Sequence, residues 1–175
     1  MTMFTSDQRL GSSAASRTGC TMLFIATAVI VAALGFEHIG HYVPCPLCLQ
    51  QRYAYYAAIP LLFVALVMVA ADYPRWAALL FALVALAFLA NAVLGGYHAG
   101  VEWKYWPGPT DCSGAGLAPA SVDAMLKGLA AETGARCDEP QFRFAGLSFA
   151  GWNVLASILL AAGSLKAAFQ SAKSD

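Results

Sequence analysis

The sequence predicts an all-α membrane protein: a four-helix transmembrane bundle with one long outer loop that carries a short amphipathic helix. Three observations predict this class. Hydrophobic residues make up 59% of the chain and charged residues only 11%, whereas roughly 25% are charged in soluble domains. Four apolar runs are each long enough to cross a bilayer. One polar stretch separates the last two runs. We therefore expect residues 1–175 to form a single integral-membrane domain.

The first predicted span covers 19–36 and carries no charge. As a helix it would reach about 27 Å, close to the roughly 30 Å of bilayer hydrocarbon. The polar, basic stretch before it and the small residues Ala33 and Gly35 also resemble a cleaved signal peptide. A signal peptide has a shorter apolar region, and its removal would leave the cysteines that follow near a free terminus. We therefore expect a retained span.

The other three predicted spans are 53–71, 76–95 and 147–169. Pro60 lies inside the second, where a membrane helix tolerates proline if neighbouring helices satisfy the freed carbonyl. The turn between the second and third spans is so short that only an antiparallel hairpin fits it. Asn91 in the third span is expected to hydrogen-bond across to another helix.

Four spans place both termini on one side of the membrane and the outer loops 37–52 and 96–146 on the other. Within the long loop, 121–133 has apolar residues at the spacing of one helical face, so we expect a helix that lies on the membrane or on the bundle. The interfacial aromatic belt is expected to contain Tyr97, Trp103, Tyr105, Trp106 and Trp152.

Charge helps to orient the chain. Lysines and arginines are five on each side, but those on the side of the termini lie in short flanks, where the positive-inside bias is strongest. This favours cytoplasmic termini and periplasmic loops. The ten acidic and ten basic residues cancel, so nothing indicates a nucleic-acid partner.

Two cysteine pairs are predicted to carry the chemistry. Cys45 and Cys48 form a C-x-x-C motif, in which one thiolate attacks a partner and the other resolves the mixed disulfide. Cys112 and Cys137 lie in the long loop on the same side. Disulfides persist in oxidising compartments, which agrees with a periplasmic position. Cys20, in the first apolar run, is expected to be a buried apolar thiol.

These pairs predict a relay in which a substrate dithiol reduces the loop pair and the loop pair reduces Cys45 and Cys48. The final acceptor is expected to be a quinone dissolved in the bilayer, because the sequence has no motif for a flavin, a nicotinamide or a haem. The alternative is a membrane metal-binding or structural protein, with His41, Cys45, Cys48 and a loop cysteine around zinc.

Arg52 lies one helical turn after Cys48. Its charge can stabilise a thiolate and hydrogen-bond a quinone oxygen, or the side chain can simply extend to the membrane interface. His98 ends the third apolar run, with Leu94 one turn before it, and either donates to a quinone oxygen or is solvated. Glu37, His38 and His41 are expected to be polar loop residues at a helix end.

The motifs together resemble the DsbB family, the quinone-dependent disulfide bond formation proteins of bacterial inner membranes. The resemblance covers about residues 17–165 and lies in P-C-P-L-C-L-Q-Q-R, a Y-H that ends the third run, two loop cysteines, and F-A-G-L before the fourth run. Gln51 departs from relatives that have an acid there. In the related vitamin K epoxide reductases the quinone-proximal C-x-x-C follows the loop cysteines, whereas here it precedes them.

The resemblance implies a role for each site residue. Cys48 would lie beside ubiquinone or menaquinone, supported by Arg52, and Cys45 would exchange with the loop. Cys112 would be attacked by a periplasmic DsbA-like thiol oxidase, and Cys137 would then link transiently to Cys45. His98 and Leu94 would line the pocket for a quinone drawn from the membrane pool. The resemblance further implies a multi-pass protein of the bacterial inner membrane.

Overall fold

Four long helices make up most of the described chain. The computed structural model describes residues 6–108, 137–138, 140 and 142–174. The helices are α1 (Ser6–His38), α2 (Pro46–Ala70), α3 (Pro74–Glu102) and α4 (Phe149–Ala172). Each is long and apolar enough to cross a membrane. This confirms the predicted class, and the chain is a multi-pass membrane protein. Cys112 and the predicted loop helix 121–133 lie outside the described residues.

The helices extend beyond the apolar runs at several ends. Helix α2 begins at Pro46 rather than at 53, so Cys48 and Arg52 are helical residues and not part of an outer loop. Helix α3 continues past 95 to Glu102. Hydropathy marks the part of a helix that matches lipid, whereas polar side chains such as that of Gln51 are compatible with the helix itself. Proline at the first position suits the start of both α2 and α3, because its missing N–H would be unpaired there anyway.

The helices run alternately up and down and form a ring. Helix α3 packs most extensively against α4, and α1 packs against both α2 and α4, while α2 and α4 barely touch. The shared core contains fully buried Leu62, Phe81, Phe88 and Leu160. The C-terminal ends of α1 and α3 therefore meet the N-terminal ends of α2 and α4 at one end of the bundle. The N-terminal end of α1 and the C-terminal end of α4 lie at the other end.

Small and polar residues join α3 to α4. Ser157, Ser164 and Ser171, spaced seven residues apart on α4, are all buried, and small side chains of this kind let membrane helices approach closely. Asn91 on α3 donates to Ser157 Oγ at 3.0 Å, which confirms its expected role as an interhelical hydrogen-bond residue. A Cβ atom at Gly95 would lie 2.9 Å from Val154 Cγ2. Glycine therefore permits the close contact at that point.

A small β-hairpin precedes α4, where the sequence predicted helix from 147. Strand β1 (Arg143–Phe144) pairs antiparallel with β2 (Leu147–Ser148). Ala145 and Gly146 connect them with φ values of 51° and 82°, as a two-residue type I′ turn requires. The F-A-G-L motif is this turn. Ser148 then caps α4 by accepting a hydrogen bond from Gly151 N at 3.3 Å.

The position of Cys20 differs from the predicted one. The sequence predicted a buried thiol, but Cys20 lies on the exposed face of α1, turned away from the other helices and available to lipid. The five residues of the predicted aromatic belt are all exposed, as an interfacial position requires.

Candidate active site

Cys45 and Cys48 lie at the start of α2, at the end of the bundle where α1 and α3 end. Cys45 is the N-cap residue, with extended backbone, and its sulfur accepts a hydrogen bond from Cys48 N at 3.3 Å. The Cys45 thiol donates to Cys48 Sγ at 3.1 Å, a separation well above the roughly 2.05 Å of a disulfide bond. The pair is therefore a hydrogen-bonded dithiol. This donation to Cys48, reinforced by burial, raises the pKa of Cys45 to about 12.

Cys137, in the later part of the long loop, lies beside the same cysteine pair. It is 1% exposed and packs in one buried cluster with Cys45 and Leu47. The next residue, Asp138, pairs with Lys104 just beyond α3, with 2.7 Å between Nζ and Oδ2. Lys104 itself has a positive φ of 61°. The structure thus brings one loop cysteine against the C-x-x-C pair and ties its neighbour to the end of α3.

His98 lies within α3, is buried, and faces the dithiol. It neither ends the helix nor lies in water. Its Nε2 lies 3.6 Å from Cys45 Sγ and 3.7 Å from Glu102 Oε1. Its Nδ1 lies 2.9 Å from Gln51 Nε2. Glu102 is also buried, at 8% exposure. The imidazole therefore connects the sulfur of Cys45 to a carboxylate one turn along the same helix.

A chain of hydrogen-bonded side chains, which includes the amides of Gln51 and Asn153, supports His98. Gln51 Oε1 accepts from Asn153 Nδ2 at 2.6 Å, and Asn153 Oδ1 accepts from the Tyr55 hydroxyl at 2.8 Å. Asn91 also approaches Asn153, at 3.4 Å. These residues belong to α2, α3 and α4. Buried polar groups that find partners in this way hold a site in one arrangement.

Arg52 pairs with Glu37 across the gap between α2 and α1. Glu37 and His38 belong to the last turn of α1, so the prediction of polar loop residues was wrong for both. Arg52 and Glu37 are not at a spacing that predicts contact, so the sequence did not indicate this ion pair. Arg52 is mostly buried, at 13% side-chain exposure, and the ion pair compensates for the removal of its charge from water.

A cavity of about 720 Å³ opens beside the dithiol. Its polar lining comes from Glu37, Cys45, Cys48, Gln51, Arg52, Tyr55, His98, Glu102 and Asn153, and the rest of the wall is almost wholly apolar. Four aromatic rings form one side, with neighbouring centroids 5.1–6.2 Å apart. We call this set the four-ring cluster; it consists of Phe36, Tyr42, Phe142 and Phe149.

The predicted site residues divide into three groups. Cys45, Cys48, Arg52 and His98 all line the cavity. Cys137 is buried in a cluster with Cys45 and Leu47, and Leu94 packs against that cluster. Neither Cys137 nor Leu94 is in the cavity wall as far as the described residues define it. Cys112 falls outside the described part of the chain, so its place in the relay stays a prediction.

Several site residues were missed by sequence reasoning. Glu102 lies four residues after His98, and this helical spacing was a usable signal. Gln51 and Asn153 gave weaker signals as polar residues within or beside apolar runs. The four-ring cluster joins two distant segments, 36–42 and 142–149, and gave no such signal. All of these residues line the cavity, so the missed part is mainly its polar support and its aromatic wall.

The possible metal ligands that the structure brings together differ from the predicted set. Among the described residues, one group has at least three histidine, cysteine or carboxylate donors close enough to share a metal ion. It contains Cys45, Cys48 and His98, with all donor atoms within 4.8 Å of one another. His41, the predicted histidine ligand, is exposed and is not part of this group.

Comparison with known proteins places the chain among disulfide-forming membrane proteins. The family model for disulfide bond formation protein DsbB matches residues 16–167. Disulfide bond formation protein B of Herminiimonas arsenicoxydans is 30% identical over 146 residues, 81% of this chain and 87% of that protein. Disulfide bond formation protein B 1 of Pseudomonas fluorescens is 28% identical over 158 residues, covering 88% and 89%.

An uncharacterized protein of Rickettsia prowazekii is 24% identical over 143 residues, or 79% of this chain and 80% of that protein. No solved structure shows a significant match. The family match covers most of the chain, including most of each apolar helix, the C-x-x-C pair and the residues around the cavity. This protein therefore belongs to the DsbB family of membrane disulfide bond formation proteins.

Proposed function

We propose that this protein is a thiol:quinone oxidoreductase that reoxidises a periplasmic DsbA-like dithiol carrier and passes the electrons to ubiquinone or menaquinone. One observation carries the proposal: the hydrogen-bonded dithiol of Cys45 and Cys48 lies in the wall of a largely apolar cavity that is also lined by Arg52 and His98. A redox-active sulfur pair and a site for an apolar ligand thus share one surface.

The cavity fits a quinone in size and chemistry. Its volume lies within the roughly 300–1,000 Å³ of small-molecule sites. The apolar wall and the four-ring cluster suit a quinone ring and the start of its isoprenoid tail. Arg52, Gln51, His98 and Asn153 supply the few polar groups that would orient the carbonyl oxygens. A bound quinone accepts two electrons and two protons and leaves as the quinol.

The sulfur positions support a defined order of exchange. A carrier thiolate attacks Cys112 of the loop disulfide, which frees Cys137 as a thiolate. Cys137 packs against Cys45, so it attacks Cys45 of the second disulfide and Cys48 departs as a thiolate. The second carrier thiol then releases Cys112, which reforms its bond with Cys137 and frees Cys45. The carrier ends as a disulfide, and its two electrons now belong to the dithiol of Cys45 and Cys48.

The cavity residues of this chain prepare the dithiol for oxidation. The Cys45 thiol donates to Cys48, so negative charge is concentrated on the Cys48 sulfur. The positive end of α2 stabilises that charge, and we propose that the guanidinium of Arg52, one turn further along α2, adds to this effect. The protein would lie in the bacterial inner membrane with both termini cytoplasmic, so that the cysteines meet the carrier in the oxidising periplasm.

The test separates the two sulfur pairs. Purified protein in detergent receives a reduced DsbA-like carrier and a soluble quinone analogue, and the quinone absorbance is followed. Wild-type protein is expected to oxidise the carrier and reduce one quinone per disulfide formed. Cys48→Ser should abolish quinone reduction, whereas Cys112→Ser should block carrier oxidation but retain bound quinone. Equal loss of bound quinone in both variants would contradict the separate sites.

A further inference from the structure

We propose that the reduced form of the active site binds one zinc ion through Cys45, Cys48 and His98, and that zinc thereby inhibits oxidation of the dithiol. Binding itself requires only the geometry of these three side chains. The inhibition rests on the proposed function. The site differs from the one that the sequence suggested, because its histidine comes from the last turns of α3 and not from the loop before α2.

The donor atoms already have nearly the spacing that zinc requires. With Zn–S near 2.3 Å and Zn–N near 2.05 Å, tetrahedral geometry puts a sulfur and a nitrogen about 3.5 Å apart and two sulfurs about 3.8 Å apart. Cys45 Sγ lies 3.6 Å from His98 Nε2 and 3.1 Å from Cys48 Sγ. The sulfur of Cys48 has to move roughly 0.7 Å away from Cys45. It lies within 4.8 Å of His98 Nε2, and the same movement has to bring it to the tetrahedral distance from that nitrogen. A cysteine side chain can do this by a small rotation in the first turn of a helix.

The chemistry of the donors favours zinc over harder cations. Two thiolates and one imidazole form a soft to borderline set, which suits zinc and not magnesium or calcium. Two thiols and one neutral imidazole that bind Zn²⁺ release two protons. Coordination to Zn²⁺ withdraws electron density from both sulfurs and lowers their nucleophilicity, so the dithiol is oxidised more slowly. The oxidised pair has no thiolates to offer, so binding depends on the redox state.

The hydrogen bonds of His98 give the proposal a specific consequence. Zinc needs the lone pair on Nε2, so the ring must carry its proton on Nδ1. Gln51, 2.9 Å from Nδ1 through its amide nitrogen, has to turn that amide over and present its oxygen. A carboxylate at this position would accept the Nδ1 proton without turning. Carboxylate partners of this kind commonly strengthen zinc binding by histidine.

The binding experiment uses zinc alone, with neither quinone nor carrier present. Full-length protein in detergent is reduced with a phosphine, freed of metal, and titrated with Zn²⁺ in equilibrium dialysis. Reduced wild-type protein is expected to bind one zinc per chain, and the oxidised protein none. His98→Gln should weaken binding at least tenfold, whereas Gln51→Glu should strengthen it about tenfold. The matched control His41→Gln should bind as the wild type does.

Three results would overturn the proposal: equal binding by oxidised protein, wild-type affinity in His98→Gln, or loss of binding in His41→Gln. Cobalt serves as a second probe, since Co²⁺ with thiolate ligands gives sulfur charge-transfer bands that Cys45→Ser should weaken. In a separate assay of turnover, zinc should slow electron flow and a chelator should restore its rate. An enzyme that turns over but binds no zinc contradicts this inference alone, whereas an inactive protein that binds zinc contradicts the proposed function alone.

Discussion

The thiol of Cys45 donates to Cys48 and lies 3.6 Å from Nε2 of His98. The direction of the hydrogen bonds behind His98 sets the ring tautomer. Tyr55 donates to Asn153, Asn153 donates to Gln51, and the Gln51 amide then donates to Nδ1 of His98. The proton of the neutral ring is therefore on Nε2, between the sulfur of Cys45 and Glu102. An amide chain deep in the bundle thus determines what the histidine offers to the dithiol.

Alkylation of Cys45 should depend steeply on pH. Because its pKa is raised to about 12, Cys45 stays a thiol at neutral pH and loses its proton only as the pH rises toward that value. The alkylation rate of reduced protein should therefore increase about tenfold per pH unit between pH 7 and 10, without a plateau, since the thiolate is the reactive form. Peptide mass spectrometry measures the rate at Cys45 separately from the rates at the other cysteines.

The control for this pH profile is Cys48→Ala. The substitution removes the acceptor that is the largest cause of the raised pKa, so the profile should bend at a lower pH than in the unsubstituted protein. A plateau for Cys45 below pH 9 in the reduced wild-type protein would contradict the hydrogen-bonded arrangement.

Arg52 should control quinone affinity, with Glu37 as its positioning partner. A charge-assisted hydrogen bond contributes about 1.5–3 kcal/mol, so Arg52→His should raise the apparent KM for a quinone analogue roughly 10- to 100-fold. Glu37→Leu removes the ion-pair partner and should raise KM less, while Glu37→Gln retains a hydrogen-bond acceptor and should be milder still. Steady-state quinone kinetics in detergent measure all three. Unchanged kinetics in Arg52→His would make Arg52 a membrane anchor only.

Sequence patterns predicted the membrane class and the motifs more fully than the site. Apolar runs report what lipid requires of a helix, so the four spans could be recognised before the structure was known. The length of an apolar run does not show where the helix begins and ends. Hydropathy alone therefore places Cys48 and Arg52 in a loop, which is wrong. Proline is common at the first position of a helix, and Pro46 indicates that α2 begins there.

The cavity could not be predicted, because its walls combine distant segments. Glu37 and Arg52 meet only when α1 packs beside α2. Phe142 joins Phe36 and Phe149 only after the β-hairpin turns the chain back toward α4. Local spacing contains none of this information. By contrast, the pair of His98 and Glu102 is local to one helix, and four-residue spacing would have identified it.

Asn91→Leu should destabilise the bundle modestly. Asn91 donates to Ser157 between α3 and α4, and interhelical hydrogen bonds in membranes contribute about 0.6–2 kcal/mol. Unfolding in mixed micelles with increasing denaturing detergent should therefore show a lower midpoint for Asn91→Leu. Val93→Leu is the matched control, because Val93 is 75% exposed on the same helix and should leave the midpoint unchanged. A loss of stability equal in both variants would indicate a general effect of substitution on α3.

The pair of Lys104 and Asp138 should govern how readily Cys137 reaches Cys45. The ion pair holds the residue after Cys137 to the end of α3, with Lys104 largely exposed and Asp138 largely buried. Lys104→Glu should repel Asp138 and slow formation of the Cys45–Cys137 disulfide several-fold. In a Cys48→Ser and Cys112→Ser background, an added small-molecule disulfide accepts the two electrons and starts the crosslinking, which is followed by non-reducing peptide mapping. Exposed ion pairs contribute only about 0.2–1 kcal/mol, so the effect should be kinetic and the unfolding midpoint nearly unchanged.

The charge-swapped double variant, Lys104→Glu with Asp138→Lys, provides the decisive comparison. It restores attraction with opposite polarity, so the crosslinking rate should recover most of what Lys104→Glu lost. If each single variant slows the reaction and the double variant is slower still, the two residues act independently, and the position of Cys137 depends on its buried packing against Cys45 and Leu47 instead. High salt should reproduce part of the Lys104→Glu effect in the wild type, because it screens exposed charges.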